Sequence, residues 1–562
     1  MTNAWEIGVV LLLLVVSLIG SYLRRGRPAL RVCRRGVRWL SRPRIAWLFC
    51  GGLSLILNLA VSWGIHWPQP AVQDEFAYLL AADTFASGRL TNPPHPMAEF
   101  FETFHVLQRP TYQSKYPPGQ GLALALGQLL TGEPIVGAWL SMAAASAAIC
   151  WMLQGWVPRR WALIGGLLTA LHYHLITGWG QSYWGGGVAL LGGALVYGAI
   201  PRMFRELQVR HGLLLAFGLI LLANSRPYEG LVAVIPAAGM VFAGWFRGRL
   251  GNATATFSRL VCPVLVSLTL AGFGWCAYNQ AVTGSAWRMP YMHYWQVRSA
   301  GVPSTDMFIG AIHHQHQAEV VPTWSERIFS SQYSKSVVSK LLRQWRFWGT
   351  PALVPPLLVV AWTWRSWWTR LAGGTVLLVL LAVVSEGTWC HAHYLAPVGG
   401  LYIGLVVQGL RWLRQWHFQG LPSGRWFAPA LPLLLAAATL QGLFTDWSER
   451  PHPIGHAWSL RRAAIQAQLD RLAGPHLVLI RYSPKHIVHY EWVYNRADRD
   501  QAHVVWAKWA PPNQLEPLLN YFSNRQVWVL NVDDDSPQLG EFRAPHSRSY
   551  LAEHAKPANP SL

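Results

Sequence analysis

Two adjacent carboxylates, Asp74 and Glu75, stand in the run Gln-Asp-Glu-Phe-Ala-Tyr just after an apolar stretch. Acids so placed can supply a general base and a partner that orients it or holds a metal ion. They also read as helix punctuation, with Asp74 as N-cap and Glu75 complementing the helix dipole. Further along comes Ser114-Lys115-Tyr116-Pro117-Pro118-Gly119-Gln120-Gly121. Prolines fix extended backbone and glycines allow close approach, so Lys115 is expected to be held stiffly near the headgroup plane. There its ammonium can meet a phosphate or simply snorkel to the interface. Lys115 is one of only six lysines in an arginine-rich chain, which favours a specific role over general surface charge. A third set comprises Arg226 and Glu229 in Asn-Ser-Arg-Pro-Tyr-Glu-Gly, and Glu386, His391, His393 and Tyr394 in Ser-Glu-Gly-Thr-Trp-Cys-His-Ala-His-Tyr. Charges at membrane depth are costly and usually functional, although Arg226 and Glu229 also suit a structural pair. His313, His314 and His316 with Glu319 have the chemistry of a zinc site or of a solvated loop.

The elements that must position these residues lie in a bilayer. Of 562 residues 52% are hydrophobic and 13% charged, about half the charged fraction of a soluble domain. Twelve apolar stretches are expected to span, at residues 5–23, 45–65, 135–156, 161–178, 183–200, 212–225, 230–246, 260–280, 350–364, 371–386, 394–410 and 427–444. With the N-terminus outside, the connections on the cytoplasmic side hold 22 arginines and one acid, Glu206, and so account for the whole net charge of +21. Lys and Arg enrichment of cytoplasmic loops supports that orientation. It also explains a pI near 10.1 without any nucleic-acid partner. No positive residue precedes the first stretch, which carries Glu6, so it reads as an N-out anchor and not as a cleaved signal. The six cysteines show neither disulfide nor zinc spacing.

Three long segments then fall outside, at residues 66–134, 281–349 and 445–562, and function is expected there. In the first, Phe76, Leu79, Leu80 and Thr84 oppose Asp74, Glu75, Ala81 and Asp83, which predicts an amphipathic helix on the membrane surface. Leu122–Leu130 is too short to span and is expected to dip into the interface. Trp287–Tyr291 and Arg343–Trp348 look like interfacial aromatic belts. The last segment predicts a helix at 457–473, β-runs at 477–482, 503–509 and 526–532, and a helix at 514–521, which is a small soluble α/β domain with a flexible tail after Asp535. The expected organisation is an N-terminal span with an arginine-rich loop (1–44), a transmembrane domain (45–444) and the extracytoplasmic α/β domain (445–562).

This pattern resembles the GT-C membrane glycosyltransferases, especially the aminoarabinose transferases, the protein O-mannosyltransferases and the related Rgt-type bacterial enzymes. Members carry an acidic pair in the first outer loop, followed by a Lys-Pro-Pro element, and Asp74-Glu75 and Lys115-Tyr116-Pro117-Pro118 match in order and side. Arg226-Pro227-Tyr228-Glu229-Gly230 is similar to their Arg-Pro-Glu-Gly element with Tyr228 inserted. His393-Tyr394-Leu395-Ala396-Pro397 is similar to the late Arg-Tyr-x-x-Pro element, with titratable His393 in place of arginine. The resemblance covers roughly residues 45–410. It implies a bacterial inner-membrane enzyme that transfers a sugar from a polyprenyl-phosphate donor to a lipid, glycan or protein acceptor outside the cytoplasm, among membrane lipids.

In that chemistry Asp74 would act as base and Glu75 as its orienting or metal-binding partner. Lys115, with Arg226 and His393, would clamp the departing phosphate. Tyr116, Glu229, His391 and Tyr394 complete the expected substrate site. In-line attack would invert the sugar's anomeric centre. No cofactor is required by any motif, and a divalent metal is left open. Two other classes also stay open. A transporter would carry ionisable groups near the bilayer midplane in repeated halves, whereas here the acids avoid span centres and no repeat is evident. A non-enzymatic envelope assembly protein would use the spans as anchor and the C-terminal domain to bind a partner.

Overall fold

The computed structural model describes residues 4–22, 36–299, 331–385, 390–448, 457–487 and 490–542; the histidine group at 313–316, Glu319 and Glu386 lie outside them. Over the described residues the chain forms two compact units. One takes Met1–Pro68, Pro117–Tyr278 and Ala318–His452, and the other Gln69–Tyr116, Asn279–Gln317 and Pro453–Leu562.

The chain is a multi-pass membrane protein by the length and composition of its helices. Among the described residues eight are long and apolar enough to cross a bilayer: Pro43–Gly64, Ile135–Trp156, Gly187–Arg205, Pro227–Phe246, Ala253–Thr283, Trp367–Ser385, Ala392–Leu413 and Gly424–Ser448. Three shorter apolar helices, Glu6–Val16, Val209–Ala223 and Pro351–Thr363, fall at further expected spans. The expected twelve are therefore not all met by length and composition. Residues 161–178 are not one helix, because Arg159–Ala170 ends at Leu171 and the chain restarts at Tyr173–Thr177. Twelve residues rise about 18 Å, short of a hydrocarbon core of about 30 Å. At 350–364 the sequence Val-Pro-Pro breaks the run into 3₁₀, α and 3₁₀ turns, because each proline withholds a helical N–H.

Ile135–Trp156, Gly187–Arg205 and Ala392–Leu413 form the middle of the helical unit, where Met142, Ile149, Met152, Leu190, Val196, Leu401 and Val406 are buried together. Small residues let these backbones touch. A Cβ on Gly193 would lie 1.8 Å from the carbonyl oxygen of Pro397, so only glycine fits there. By contrast Leu265, Leu270 and Phe273 on Ala253–Thr283 are exposed, as suits a face in contact with lipid. The run Leu122–Leu130 lies in the helix Pro118–Thr131, which exposes Leu122, Leu126, Leu129 and Leu130 and packs Leu124 inward.

The second unit is built on a four-stranded sheet with strand order β4-β3-β5-β6, distinct from the short antiparallel pair β1 (Val106–Leu107) and β2 (Gln113–Ser114). β3 (His476–Arg481) pairs in parallel with β4 (Val504–Lys508) and with β5 (Gln526–Asn531), while β6 (Leu539–Glu541) runs antiparallel to β5. The expected strands and helices of this segment are all present. Of the polar stretch after Asp535, expected to be a flexible tail, Leu539–Glu541 form β6 as an edge strand, and residues 543–562 lie outside the described residues.

β3 is buried on both faces, as parallel strands are. Alternate side chains point to opposite faces. Val478 and Ile480 join Trp458, Ile465, Phe76, Ala77 and Leu80. Leu477 and Leu479 join Leu515, Leu518, Phe522, Phe100 and Phe101. Residues from the segment Gln69–Tyr116 therefore help to cover both faces of the C-terminal sheet and belong to the same unit as Pro453–Leu562. The expected surface helix is likewise an interior element. Gln73–Ala86 buries Phe76, Ala77, Tyr78, Leu80, Ala81 and Ala82, with Phe76 stacked on Tyr494 at 4.3 Å. Asp83 accepts a 2.8 Å hydrogen bond from the Ala497 N–H. The guanidinium of Arg499 sits 3.5 Å over Tyr112 and donates to Gln108 at 2.7 Å.

Candidate active site

Helix Gln73–Ala86 separates the two acids by task. Val72 is the N-cap and offers no side-chain acceptor to the helix. Glu75, in the first turn, reaches back so that its Oε2 accepts from the N–H groups of Ala71 (2.6 Å) and Val72 (3.2 Å). A buried carboxylate in that position satisfies donors the helix cannot and suits the positive end of its dipole. Asp74 is not the N-cap. Its Oδ1 accepts from the Tyr116 hydroxyl, and its Oδ2 lies 3.8 Å from Nε2 of His105.

Tyr116 belongs to the Lys-Tyr-Pro-Pro element, so the two motifs of the segment Gln69–Tyr116 meet at one carboxylate. Its ring stacks on Tyr78 at 4.6 Å. Burial first, and then the Asp74 charge, push the Tyr116 hydroxyl well above its ordinary range, which keeps the proton on the phenol and the phenol donating.

His105 is the residue that spacing did not reveal. Its backbone is left-handed, with φ of 64°, a conformation that costs a non-glycine residue about 1–3 kcal/mol and persists where surroundings over-determine it. The surroundings do so here. The His105 N–H donates to the Tyr294 hydroxyl at 3.0 Å, and its carbonyl accepts from the Lys115 N–H at 3.0 Å.

Lys115 is buried, and its ammonium is ringed by aromatic faces. Nζ stands 5.1 Å from Tyr116, 5.1 Å from Tyr291, 4.6 Å from Tyr294 and 4.9 Å from Trp295. Three of these rings come from one face of helix Pro290–Ser299, at positions i, i+3 and i+4. Such contacts favour the charged lysine by about 0.5–2 kcal/mol each. That spacing was visible in the sequence; its partner was not.

The other candidate residues gather in the helical unit. Arg226 precedes Pro227, which opens helix Pro227–Phe246 at the position proline favours. Its Nη1 is 3.9 Å from Oε1 of buried Glu229, and its guanidinium is 5.0 Å over the Tyr394 ring. His391 and His393 stack at 5.4 Å with 11° between rings, and Trp184 meets them edge-on at 4.7 and 4.3 Å. Gln344 holds the turn in place by donating to the carbonyls of Cys390 (3.1 Å) and His391 (3.0 Å).

Burial, followed by the charges of Arg343 and Arg226, lowers His391 to about 4, so it is neutral near pH 7. The cation of this group is therefore Arg226. Trp184, which touches both histidines, was not singled out from sequence. Lys115 and Arg226 belong to different units, as do Asp74 and His393.

Among the described residues no group of three or more His, Cys, Asp or Glu side chains converges as a metal's ligand set. Glu75, the suggested metal partner of Asp74, commits Oε2 to backbone N–H groups.

No protein-family model and no curated protein matches the chain. Among solved structures it is similar to the Archaeoglobus fulgidus oligosaccharyltransferase in the apo form, with TM-score 0.47 and 12% identity over 87% of this chain and 69% of that one. It is also similar to ArnT from Cupriavidus metallidurans, in the apo state (TM-score 0.45) and bound to undecaprenyl phosphate (TM-score 0.43), each at 14% identity over 89% of this chain and 94% of that one.

Proposed function

We propose that the protein is an integral-membrane glycosyltransferase that moves a sugar from a polyprenyl-phosphate donor to an acceptor on the extracytoplasmic side, with inversion at the anomeric carbon. The observation that carries this is the meeting of Asp74 with Tyr116 beside a caged Lys115. A carboxylate fixed by one phenol keeps lone pairs with which to take the proton of an acceptor hydroxyl or amine. As the C–O bond to the lipid phosphate breaks, negative charge grows on the departing oxygen, and a fixed cation such as Lys115 stabilises it without reorganising. Bond making and breaking then balance: the acceptor oxygen or nitrogen bonds to the sugar carbon, its proton passes to Asp74, and the phosphate leaves with the electron pair. Arg226, with its neutral histidine neighbours, is a second anion-binding group within the helical unit. The distribution of arginines over the expected cytoplasmic loops supports an extracytoplasmic site in a bacterial inner membrane. The test is Asp74→Asn. We expect transfer from a polyprenyl-phosphate-linked sugar to fall by about a thousandfold, within the usual contribution of general acid–base catalysis, because the isosteric amide cannot take the acceptor's proton. The variant should still insert and retain its thermal midpoint, and undiminished turnover would refute the assignment.

A further inference from the structure

Where Ile135–Trp156, Gly187–Arg205 and Val209–Ala223 end or begin, a cavity of about 440 Å³ is lined by Trp151, Arg202, Arg205, Glu206, Arg210 and His211. Its wall is rigid. Arg202 donates from Nη1 to the Gly198 carbonyl and from Nη2 to that of Trp151, both at 2.6 Å, and lies 3.9 Å over the Trp151 ring. Arg205 gives one Nη to the Gly155 carbonyl at 2.6 Å. Three guanidinium groups around one small volume repel one another. The acid in the lining, Glu206, accepts from the Gln208 amide and forms no ion pair with an arginine among the described residues, so its single charge offsets only one of the three. With three guanidinium groups against one carboxylate, the lining keeps a net positive charge that an anion would balance.

The surface beside it says which anion. Val209, Leu213 and Phe217 follow at intervals of four on the helix that carries Arg210 and His211, and all three are exposed. Residues so spaced share a face, giving an apolar track that starts at the basic cavity. A free phosphate has no use for such a track, whereas a phospholipid has an acyl chain to lay along it. The cavity is also remote from the histidine group. Trp184 stands just before Gly187 and Arg205 closes the same helix, whose length is about 28 Å.

We propose that this cavity binds the phosphate of an anionic phospholipid, whose acyl chain lies along Val209, Leu213 and Phe217. The ligand is distinct from the sugar donor and its site is a structural or regulatory one for the leaflet on the arginine side. Basic pockets between spanning helices hold such headgroups by charge.

The experiment is native mass spectrometry of the full chain from micelles containing phosphatidylglycerol or phosphatidylcholine. Wild-type protein should retain phosphatidylglycerol in preference. In Arg205→Gln/Arg210→Gln retention should fall about tenfold or more, the size expected for two lost charges at a phosphate. Arg205→Lys/Arg210→Lys should keep most of it, and Phe217→Asn should weaken it without affecting a headgroup-only anion. Unchanged retention in the glutamine pair would overturn the proposal. So would equal loss in the lysine and glutamine pairs, or displacement of the lipid by excess inorganic phosphate, which would leave a free-anion site only.

Discussion

Asp74 and Glu75 are neighbours in sequence with different environments. The structure explains how one can do chemistry while the other builds the helix. Glu75 satisfies the N–H groups of Ala71 and Val72, and losing such an acceptor costs about 0.5–2 kcal/mol. Glutamine retains an acceptor oxygen at the same reach, so Glu75→Gln should keep most of its transfer activity and a near-native thermal midpoint. Glu75→Ala should lower the midpoint by several degrees. Comparing transfer rates and melting curves of the two variants separates a cap from a catalytic acid: abolished transfer in a stable Glu75→Gln protein would restore Glu75 to the chemistry. Tyr116 illustrates the same division. Its hydroxyl serves Asp74, while its ring is shared between Tyr78 and the Lys115 ammonium.

At the scale of elements, single short turns and helices decide the charge of each group. Helix Pro290–Ser299 supplies three of the four rings around Lys115, so a lysine that could have snorkelled to the interface is instead buried in an aromatic cage. The turn Ala392–Leu395, held through Gln344, stacks His391 on His393 close to Arg343 and Arg226 in charge. His391 is held at about 4, below its ordinary value near 6.5. Between those values the unfolded chain binds a proton that the folded chain does not. Stability from this residue is therefore complete above pH about 6.5 and is lost as pH falls toward 4. The loss is on the order of 1–3 kcal/mol. The thermal midpoint measured in detergent should fall between pH 7.5 and 4.5, by less in His391→Asn than in wild type. An equal fall in both would exclude His391 as the source.

For the whole molecule, the second unit couples the segment Gln69–Tyr116 to the C-terminal sheet. Phe76, Ala77 and Leu80 share a core with Trp458, Val478 and Ile480, and Phe100 and Phe101 share the opposite one with Leu477 and Leu479. The C-terminal segment is thus part of what holds helix Gln73–Ala86, which carries Asp74. Truncation after Asp446 should abolish transfer and make residues 69–116 sensitive to limited proteolysis. Trp458→Ala, which leaves a cavity worth about 3–5 kcal/mol, should do the same in milder form. Full activity in the truncated chain would show that the sheet is dispensable to the site.

Apolar runs of membrane length, the arginine distribution and the β-rich runs at 477–482 and 526–532 were legible because each depends on local composition along the chain. The candidate residues Asp74, Lys115 and Arg226 were legible for a related reason: charged residues are few in this chain and stand out against apolar surroundings. Local spacing also overreached. It made Gln73–Ala86 a membrane-surface helix and joined residues 161–178 into one span. What only tertiary structure decided were contacts between residues far apart in the chain: Tyr116 on Asp74, the ring of Tyr294 on Lys115, Trp184 on His393, and Phe76 in the core of the C-terminal sheet. Periodicity says which face of an element is apolar; only packing says what covers it.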